Sequence, residues 1–272
     1  MTARLSLACC FLPVILLLSG CSGISSNFNT ATNEQETTFY STDKEQQIGA
    51  AVAQEVEKEY KVVDDPAINE RVDRITRKLA AICDRKDLVF VAKVIEEKKE
   101  TDEKSVNAMS LPGGYVYIFR GLMDYIKDDG ELAAVIGHEI GHIAARHSIK
   151  RLQASYSNLA LILAAIRAPA VAGGLAAMMD TLFFKYSQDD EIQADGLGVK
   201  YMKLAGYDPS GMVRMLEALQ EYDRKQPIRP KMYASTHPYV HQRIASVNRI
   251  IAQDLSFRDW VRLTGEREDY KR

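Results

Sequence analysis

The string His138-Glu139-Ile140-Gly141-His142 combines residue types and a spacing that suit metal-assisted hydrolysis. Residues four apart on a helix lie on one face, so the two imidazoles can reach a single Zn²⁺. A bound Zn²⁺ lowers the pKa of its water to about 7, so the Glu139 carboxylate suffices as a general base. Two surface histidines beside a surface acid are the alternative, but with five histidines in 272 residues chance rarely produces this string.

The third ligand of such a site has to come from outside the string. On a continuous helix the spacing of His147 turns it away from the first two histidines, so we expect a structural role for it. The acidic run at residues 189–195 offers candidates, and Glu191 and Asp195 share one helix face. Spacing alone does not choose among these acids, and a solvated acidic helix face is the alternative.

The string needs a helix to carry it and other elements to hold the remaining ligands. A helical pattern follows Asp129-Gly130 and includes the string. Apolar periodicity predicts further helices that begin near residues 42 and 65, and helices over residues 189–204, 209–222 and 239–254. Residues 88–95 favour a strand, and residues 106–119 favour a hairpin. These elements predict an α+β fold that is mostly α-helical, with a small β-sheet or hairpin beside the active-site helix.

The N-terminal 21 residues carry the features of a bacterial lipoprotein signal. Arg4 precedes an apolar run over residues 5–18, and small residues then lead to Cys21. The run is shorter than the ~20 residues of a membrane span, and Pro13 interrupts it. We expect a signal peptide over residues 1–20, a lipid on Cys21 and a flexible tether over residues 21–42. An ordinary secretory signal is the alternative.

The cysteines and the charge balance argue against several classes of protein. Cys9, Cys10 and Cys21 lie in the first 21 residues, so no internal disulfide is expected once Cys21 carries lipid. Cys83 is expected to be a small buried residue and not a nucleophile. The 35 Lys and Arg balance 37 Asp and Glu without a long basic block, which argues against a nucleic-acid partner.

Residues 159–179 are almost entirely apolar or glycine. Three interpretations are open: a buried helix pair, a flap or membrane-contacting segment near a cleft, and a transmembrane span. Arg167, Pro169 and the Gly173-Gly174 pair argue against the span.

Five ordered motifs resemble those of the M48 zinc metallopeptidases. They are Asn107-Ala108 before Leu111-Pro112-Gly113-Gly114, His138-Glu139-Ile140-Gly141-His142, Arg146-His147, Glu191-x-x-Ala194-Asp195-x-x-Gly198, and His237-Pro238 with Arg243. The resemblance covers about residues 43–248. It is strongest to lipid-anchored periplasmic members involved in outer-membrane protein quality control, in a short form without tetratricopeptide repeats. Two positions depart from many relatives: Gln193 replaces a glutamate and Gln188 replaces an arginine.

The resemblance implies a zincin-like metallopeptidase domain over residues 43–256, a C-terminal tail over residues 257–272 and one Zn²⁺ per chain. The matching motif positions imply that the zinc ligands are His138, His142 and Glu191, that the general base is Glu139, and that the acceptor orienting a ligand histidine is Asp195.

His237 and Arg243 complete the implied active site. Peptide hydrolysis develops negative charge on the carbonyl oxygen, and the resemblance implies that these two donors stabilise it. In some relatives the histidine also fills the open position on zinc, while a capping His-Pro and a salt-bridged Arg are the alternative. Asn107 and Ala108 resemble the edge strand along which zincin substrates lie, where an extended backbone adds as a further strand.

These features together predict a zinc-dependent endopeptidase anchored by lipid at the periplasmic face of the outer membrane. Ser22 after Cys21 favours sorting to the outer membrane over the inner membrane. The expected partners are unfolded or misassembled envelope proteins as substrates, the membrane through the lipid, and the outer-membrane assembly machinery. A chaperone that uses the same groove with repressed proteolysis is the alternative, and a zinc hydrolase of non-peptide substrates has no positive support.

Overall fold

The computed structural model describes residues 25–38, 40–98, 104–154, 182, 184–225 and 236–252. The strands are β1 (Ser25–Asn29), β2 (Glu34–Thr38), β3 (Tyr60–Val62), β4 (Val91–Glu97), β5 (Ala108–Leu111) and β6 (Tyr115–Phe119). The helices are α1 (Thr42–Glu59), α2 (Pro66–Ile82), α3 (Arg120–Met123), α4 (Asp129–Ala144), α5 (His147–Ala154), α6 (Gln188–Leu204), α7 (Ser210–Lys225) and α8 (Val240–Ala252). The prediction of a mostly helical α+β fold is therefore confirmed.

The first two helices begin where side chains can cap them. The Ser41 hydroxyl accepts the N–H of Lys44 at the start of α1. Asp65 accepts the N–H groups of Ala67 and Ile68 at the start of α2, and Pro66 occupies the first helical position, where its missing N–H costs nothing. Both helices start within a residue or so of the predicted positions.

Four strands form a small mixed sheet in the order β3-β4-β6-β5. β4 runs parallel to β6, whereas β5 and β6 form the predicted antiparallel hairpin and pair Ala108 with Ile118 and Leu111 with Tyr115. The hairpin turns at Gly113 and Gly114, whose positive φ angles of 79° and 104° suit glycine. β5 is an edge strand of this sheet, and the predicted strand over residues 88–95 instead begins at Val91.

The two faces of the sheet pack against different helices. Val94, Ala108, Val116 and Ile118 join a large core with residues of α2, α4, α6 and α7. Ile95, Leu111, Tyr117 and Phe119 face a smaller cluster with residues of α1 and α5. The sheet therefore separates α4, which carries the His-Glu-x-x-His string, from α1.

Residues 25–38 correct one prediction, because they form an antiparallel hairpin instead of a flexible tether. The hairpin packs on the domain: Asn29 donates from Nδ2 to the carbonyl oxygen of Ala144 at 3.1 Å, and Glu36 accepts from Lys150 at 2.7 Å. Ala31 and Thr32 at its turn are fully buried. Polar composition suggested a tether, but these polar side chains are paired with the end of α4 and with α5.

Cys83 is buried and has a free thiol, as predicted. Among the described residues no helix combines the length and apolar character that a membrane crossing requires. The signal peptide, Cys21, the apolar stretch over residues 159–179 and the C-terminal tail over residues 257–272 lie outside the described residues.

Candidate metal centre

α4 holds the His-Glu-x-x-His string in the protein interior. Asp128 caps the helix by accepting the N–H of Glu131, and every residue from 131 to 144 is buried. The helix ends at Ala144, and Arg146 takes a φ angle of 57°, so the chain changes direction there. His147 consequently begins α5, and the assumption that it continues the α4 helix was wrong.

α6 brings the acidic cluster to α4. A capping box between Ser187 and Asp190 starts α6, which places Glu191 in its first turn and Asp195 one turn later. The two helices touch backbone to backbone, because a Cβ on Gly141 would lie 2.6 Å from the carbonyl oxygen of Ala194. Glycine at position 141 therefore lets the acids of α6 reach the histidines of α4.

Four side chains converge at this contact: His138, His142, Glu191 and His237. Each offers one ligand atom, and these atoms all lie within 4.8 Å of one another. The Nε2 atoms of His138 and His142 are 3.0 Å apart, and a Glu191 oxygen lies 3.4 Å from His142 Nε2. His237 Nδ1 is 3.3 Å from His138 Nε2. Three imidazoles and a carboxylate form a donor set that suits a four-coordinate transition metal.

Asp195 orients His138 from behind the cluster. Its Oδ1 lies 2.8 Å from His138 Nδ1. A histidine that donates its Nδ1–H to a carboxylate presents Nε2, with its lone pair, to a metal. Burial raises the pKa of Asp195, but the positive charge of Arg243 outweighs burial and lowers it overall, so the carboxylate stays ionised as an acceptor.

Arg243 binds both acids of the cluster. Its Nε and Nη2 donate to the two oxygens of Asp195 at 2.8 Å each, and its Nη1 lies 2.6 Å from Glu191 Oε2. Burial raises the pKa of Glu191, but Arg243 and His237 hold it well below its usual range. Arg243 is fully buried behind the ligands, so the structure does not support its predicted role as a donor to the substrate carbonyl; its contacts position carboxylates.

His142 is supported on its far side by His147. The two Nδ1 atoms lie 2.8 Å apart, and His147 Nε2 lies 2.9 Å from Gln193 Oε1. If His147 donates to Gln193, its Nδ1 is left to accept from His142, which then presents Nε2 to the ligand cluster. Burial holds the pKa of His142 well below its usual value and also lowers that of His147, so both rings are neutral at pH 7.

Tyr186 completes the surroundings of His142 and was missed by the sequence analysis. Its ring stacks on His142 at 3.8 Å between centroids, and the Arg151 guanidinium lies 3.7 Å from its centroid. The Tyr186 hydroxyl lies 3.1 Å from the Ser148 hydroxyl. A single tyrosine outside any motif offers no sequence signal. Its position beside His142 depends on the path of the chain just before α6.

Glu139 lies beside the ligand cluster with an unusual environment for a buried acid. Both carboxylate oxygens are buried, and within the described ranges neither has a hydrogen-bond partner. His237 Nε2 lies 3.6 Å from Glu139 Oε1. A buried carboxylate without a partner is costly unless something else occupies the site. These orphaned oxygens fit a bound metal with its water.

His237 lies within the cluster and contacts Glu191 Oε1 through Nδ1 at 3.0 Å. Burial lowers the pKa of His237, but the charges of Glu191 and Glu139 outweigh burial and raise it overall. The structure thus places this histidine where it can be a fourth ligand as well as a neighbour of Glu139. His241, by contrast, is exposed on α8, as expected.

A cleft of about 190 Å³ opens beside the cluster. Asn107, Ala108, Ser110 and His237 line it, so the edge strand β5 and the candidate metal centre share one cavity. Asn107 accepts the N–H of Phe119 through its carbonyl oxygen. In an antiparallel ladder with that register, the N–H and C=O groups of Ala108 and Ser110 point to the open edge.

A metal centre built from two histidines of one helix turn and a glutamate of a second helix, beside an edge strand, is the architecture of zincin-like metalloendopeptidases. The fold and the site of this chain have that architecture. Within the class, the chain belongs to peptidase family M48, whose sequence profile matches residues 66–251.

Curated relatives agree with the class. The chain is 30% identical over 198 residues to the mitochondrial metalloendopeptidase OMA1 of Arabidopsis thaliana, a match that covers 72% of this chain and 38% of OMA1. It is 26% identical over 219 residues to the beta-barrel assembly-enhancing protease of Escherichia coli K12, covering 75% of this chain and 43% of that protein. It is 32% identical over 158 residues to the metalloprotease YcaL of the same strain, covering 52% and 59%. The chain thus spans less than half the length of the first two relatives.

Proposed function

We propose that this protein is a zinc-dependent endopeptidase of the bacterial envelope that hydrolyses unfolded or misassembled outer-membrane proteins. The observation that carries the proposal is the convergence of four ligand atoms within 4.8 Å beside a buried acid, Glu139. The open edge of β5 lines the same cleft, so a backbone bound there lies next to the candidate centre.

Zinc is the metal we propose for the cluster. Imidazole and carboxylate ligands in a four-coordinate set are typical of catalytic zinc, with His138, His142 and Glu191 as the permanent ligands. Bound Zn²⁺ supplies Lewis-acid polarisation of a carbonyl group and makes water more acidic. His237 lies close enough to the other three ligand atoms to serve as a fourth ligand, and its alternative role is to donate to the negative charge that develops on the carbonyl oxygen.

The residues of this chain have separate roles in the proposed hydrolysis. β5 pairs with the substrate backbone, which positions the scissile carbonyl beside the cluster. Glu139 accepts a proton as the water oxygen attacks the carbonyl carbon, and it returns that proton to the leaving nitrogen as the C–N bond breaks. Asp195, Arg243 and His147 keep the ligands in place and do not touch the substrate.

The choice of substrate and compartment rests on the N-terminus and on the relatives. Recognition through main-chain hydrogen bonds at a strand edge suits extended polypeptides with little regard to sequence, and folded proteins do not offer such segments. One relative is named a beta-barrel assembly-enhancing protease. The lipoprotein-type signal before Cys21 supports a location at the periplasmic face of the outer membrane, where the proposed enzyme would meet outer-membrane proteins and their assembly machinery.

Replacing Glu139 tests the proposed function directly. In the zinc-loaded enzyme, Glu139→Gln keeps the shape of the side chain but removes its basicity, so kcat for unfolded casein should fall by about 10²–10⁴-fold. Zinc content, measured by elemental analysis, should stay near one per chain. A matched control is Glu217→Gln, an exposed glutamate on α7, which should cleave casein at the rate of the unchanged protein.

Two results would count against this assignment. Casein cleavage that is unchanged in Glu139→Gln, or that persists after a chelator has removed the metal, would contradict a metal-dependent endopeptidase. Full support of outer-membrane assembly by the Glu139→Gln variant in cells would favour the chaperone alternative, in which the groove binds clients without cutting them.

A further inference from the structure

The cleft beside the metal centre is apolar over much of its wall. Tyr60, Met109, Phe119, Leu182 and Phe184 line it. The Tyr60 and Phe119 rings meet edge to face at 5.0 Å between centroids. Phe119 and Leu182 belong to the apolar cluster on the α1 side of the sheet, and Tyr60 and Met109 pack against that cluster. The cleft therefore joins the metal centre to the sheet face that looks away from α4.

The geometry of β5 connects this wall to a substrate backbone. A strand added to the open edge of β5 places each side chain on the same sheet face as the residue opposite it. A substrate residue opposite Met109 therefore directs its side chain toward Met109 and Phe119. The residues before and after it point to the other face, where α4 carries His138 and Glu139.

We infer that this cleft is a specificity pocket for one large apolar side chain of the substrate, in a residue that flanks the scissile bond. The inference rests on the proposed peptidase function and names the substrate class of that site. The cleft, with a volume of about 190 Å³ in all, has room for a large side chain. His237, at one wall, makes the pocket continuous with the metal centre.

The charge of the pocket supports the same occupant. Among the described residues that line it there is no Asp, Glu, Lys or Arg. A charged substrate side chain would lose its hydration there without gaining an acidic or basic partner of opposite charge from Asp, Glu, Lys or Arg in that lining, whereas an apolar side chain would leave water. Large apolar side chains are buried in folded proteins. The pocket therefore selects chains that have failed to fold, in addition to the selection for extended backbone that β5 provides.

A peptide series measures the preference. Fluorogenic peptides that differ at a single position next to the scissile bond, with Leu, Phe, Ala, Asp or Lys there, are incubated with the zinc-loaded enzyme. The Leu and Phe peptides should exceed the Ala peptide in kcat/KM by roughly tenfold or more, since even one methylene changes kcat/KM by about 10–200-fold in an apolar pocket. The Asp and Lys peptides should be the poorest substrates.

A charge introduced into the pocket should reverse the preference. Met109→Glu is expected to lower kcat/KM for the Leu peptide at least tenfold and to raise it for the Lys peptide. A variant that is merely unstable would not cleave the Lys peptide faster. A higher kcat/KM for the Lys peptide therefore shows a change in specificity and not a loss of folded protein. Leu204→Glu is the matched control, because Leu204 is exposed and lies thirteen residues from Glu191 along α6, about 20 Å at 1.5 Å per residue. The Leu204→Glu variant should prefer the Leu peptide over the Lys peptide to the same extent as the unchanged protein.

The outcomes distinguish the pocket from the catalytic function. Equal cleavage of all five peptides, or no gain for Lys in Met109→Glu, would overturn the pocket and leave the peptidase in place. If the enzyme cleaves none of the peptides and no casein, the proposed function is wrong. Anisotropy measurements of labelled Leu and Lys peptides on the Glu139→Gln variant then decide the pocket alone, since tighter binding of Leu supports it and equal binding refutes it.

Discussion

Three of the candidate ligands, His138, His142 and Glu191, are each held by another buried side chain. His138 is oriented by Asp195, and His142 is oriented by His147. Glu191 is held by Arg243, which also binds Asp195. Breaking a buried charge network of this kind by removing one partner costs about 3–5 kcal/mol, because the remaining charge is left without compensation. The positions of these candidate ligands thus depend on side chains outside the candidate ligand set.

His147 provides the cleanest test at the scale of a residue. His147→Ala removes the acceptor for His142 Nδ1, so zinc affinity should fall by about 10–100-fold in a competition with a chromogenic chelator. The control is His241→Ala, which removes an exposed histidine and should leave zinc affinity unchanged. Equal affinities in the two variants would show that His147 does not orient His142.

His237→Ala separates the two roles that remain for this histidine. If His237 fills the fourth ligand position at rest, its removal should raise the basal rate of casein cleavage several-fold, because the substrate no longer has to displace a ligand. The rate is measured with zinc content fixed at one per chain. A fall in kcat with an unchanged KM would instead identify His237 as a donor to the developing negative charge on the carbonyl oxygen.

At the scale of elements, the contact between α4 and α6 creates the site. Their closest approach is at Gly141, where the carbonyl oxygen of Ala194 occupies the space of a side chain, and Gly137 faces Gly198 one turn earlier. The glycines lower the intrinsic stability of the helix, by up to about 1 kcal/mol each relative to alanine. In exchange, Glu191 and Asp195 come within hydrogen-bonding reach of the histidines.

Gly141→Ala should therefore push α6 away from α4. The added Cβ would lie 2.6 Å from the backbone of Ala194, so we expect a loss of about 1–3 kcal/mol of unfolding free energy together with weaker zinc binding. Gly137→Ala is the control, because its nearest atom would be 3.4 Å away, and alanine favours the helix. Thermal and urea unfolding with zinc titration compare the two, and equal stabilities would contradict the role given to Gly141.

For the whole molecule, the N-terminal hairpin limits how far the domain can lie from the proposed lipid site. Ser25 begins β1, which packs with β2 on the end of α4 and on α5. Only three residues lie between Ser25 and the proposed lipid site at Cys21, so the four backbone steps from one to the other reach at most about 14 Å. A lipid on Cys21 would therefore hold the domain close to the bilayer surface. The longer flexible tether that polar composition predicted would have allowed the domain to lie farther from the bilayer.

Replacing the proposed lipid site tests this attachment. Cys21→Ser should yield soluble periplasmic protein or an uncleaved precursor, since the acyl chains that anchor the protein cannot be added. Cell fractionation and labelling with a radioactive fatty acid measure the change. Cys9→Ser removes a signal-peptide cysteine and should behave as the unchanged protein. Processed Cys21→Ser protein that still fractionates with the outer membrane would overturn the lipoprotein assignment.

Local patterns were enough to predict much of this protein. The helix that carries His138 and His142, the hairpin around Gly113 and the buried Cys83 follow from periodicity, turn residues and composition, which depend on neighbours in the chain. The choice of Glu191 over other acids of its cluster came from the resemblance to a family, because i,i+4 spacing places Asp195 on the same face.

Only the tertiary structure decided which side chains meet around the site. The position of His147 depended on Arg146, whose left-handed backbone ends the helix that the spacing argument had extended. Arg243 looked like a donor to the substrate, yet it is fully buried behind the ligands on two carboxylates. Tyr186 carried no signal at all. The physical reason is that sequence spacing specifies directions within one helix, whereas the site is assembled from α4, α6, α8 and β5, whose relative positions are set by packing of distant residues.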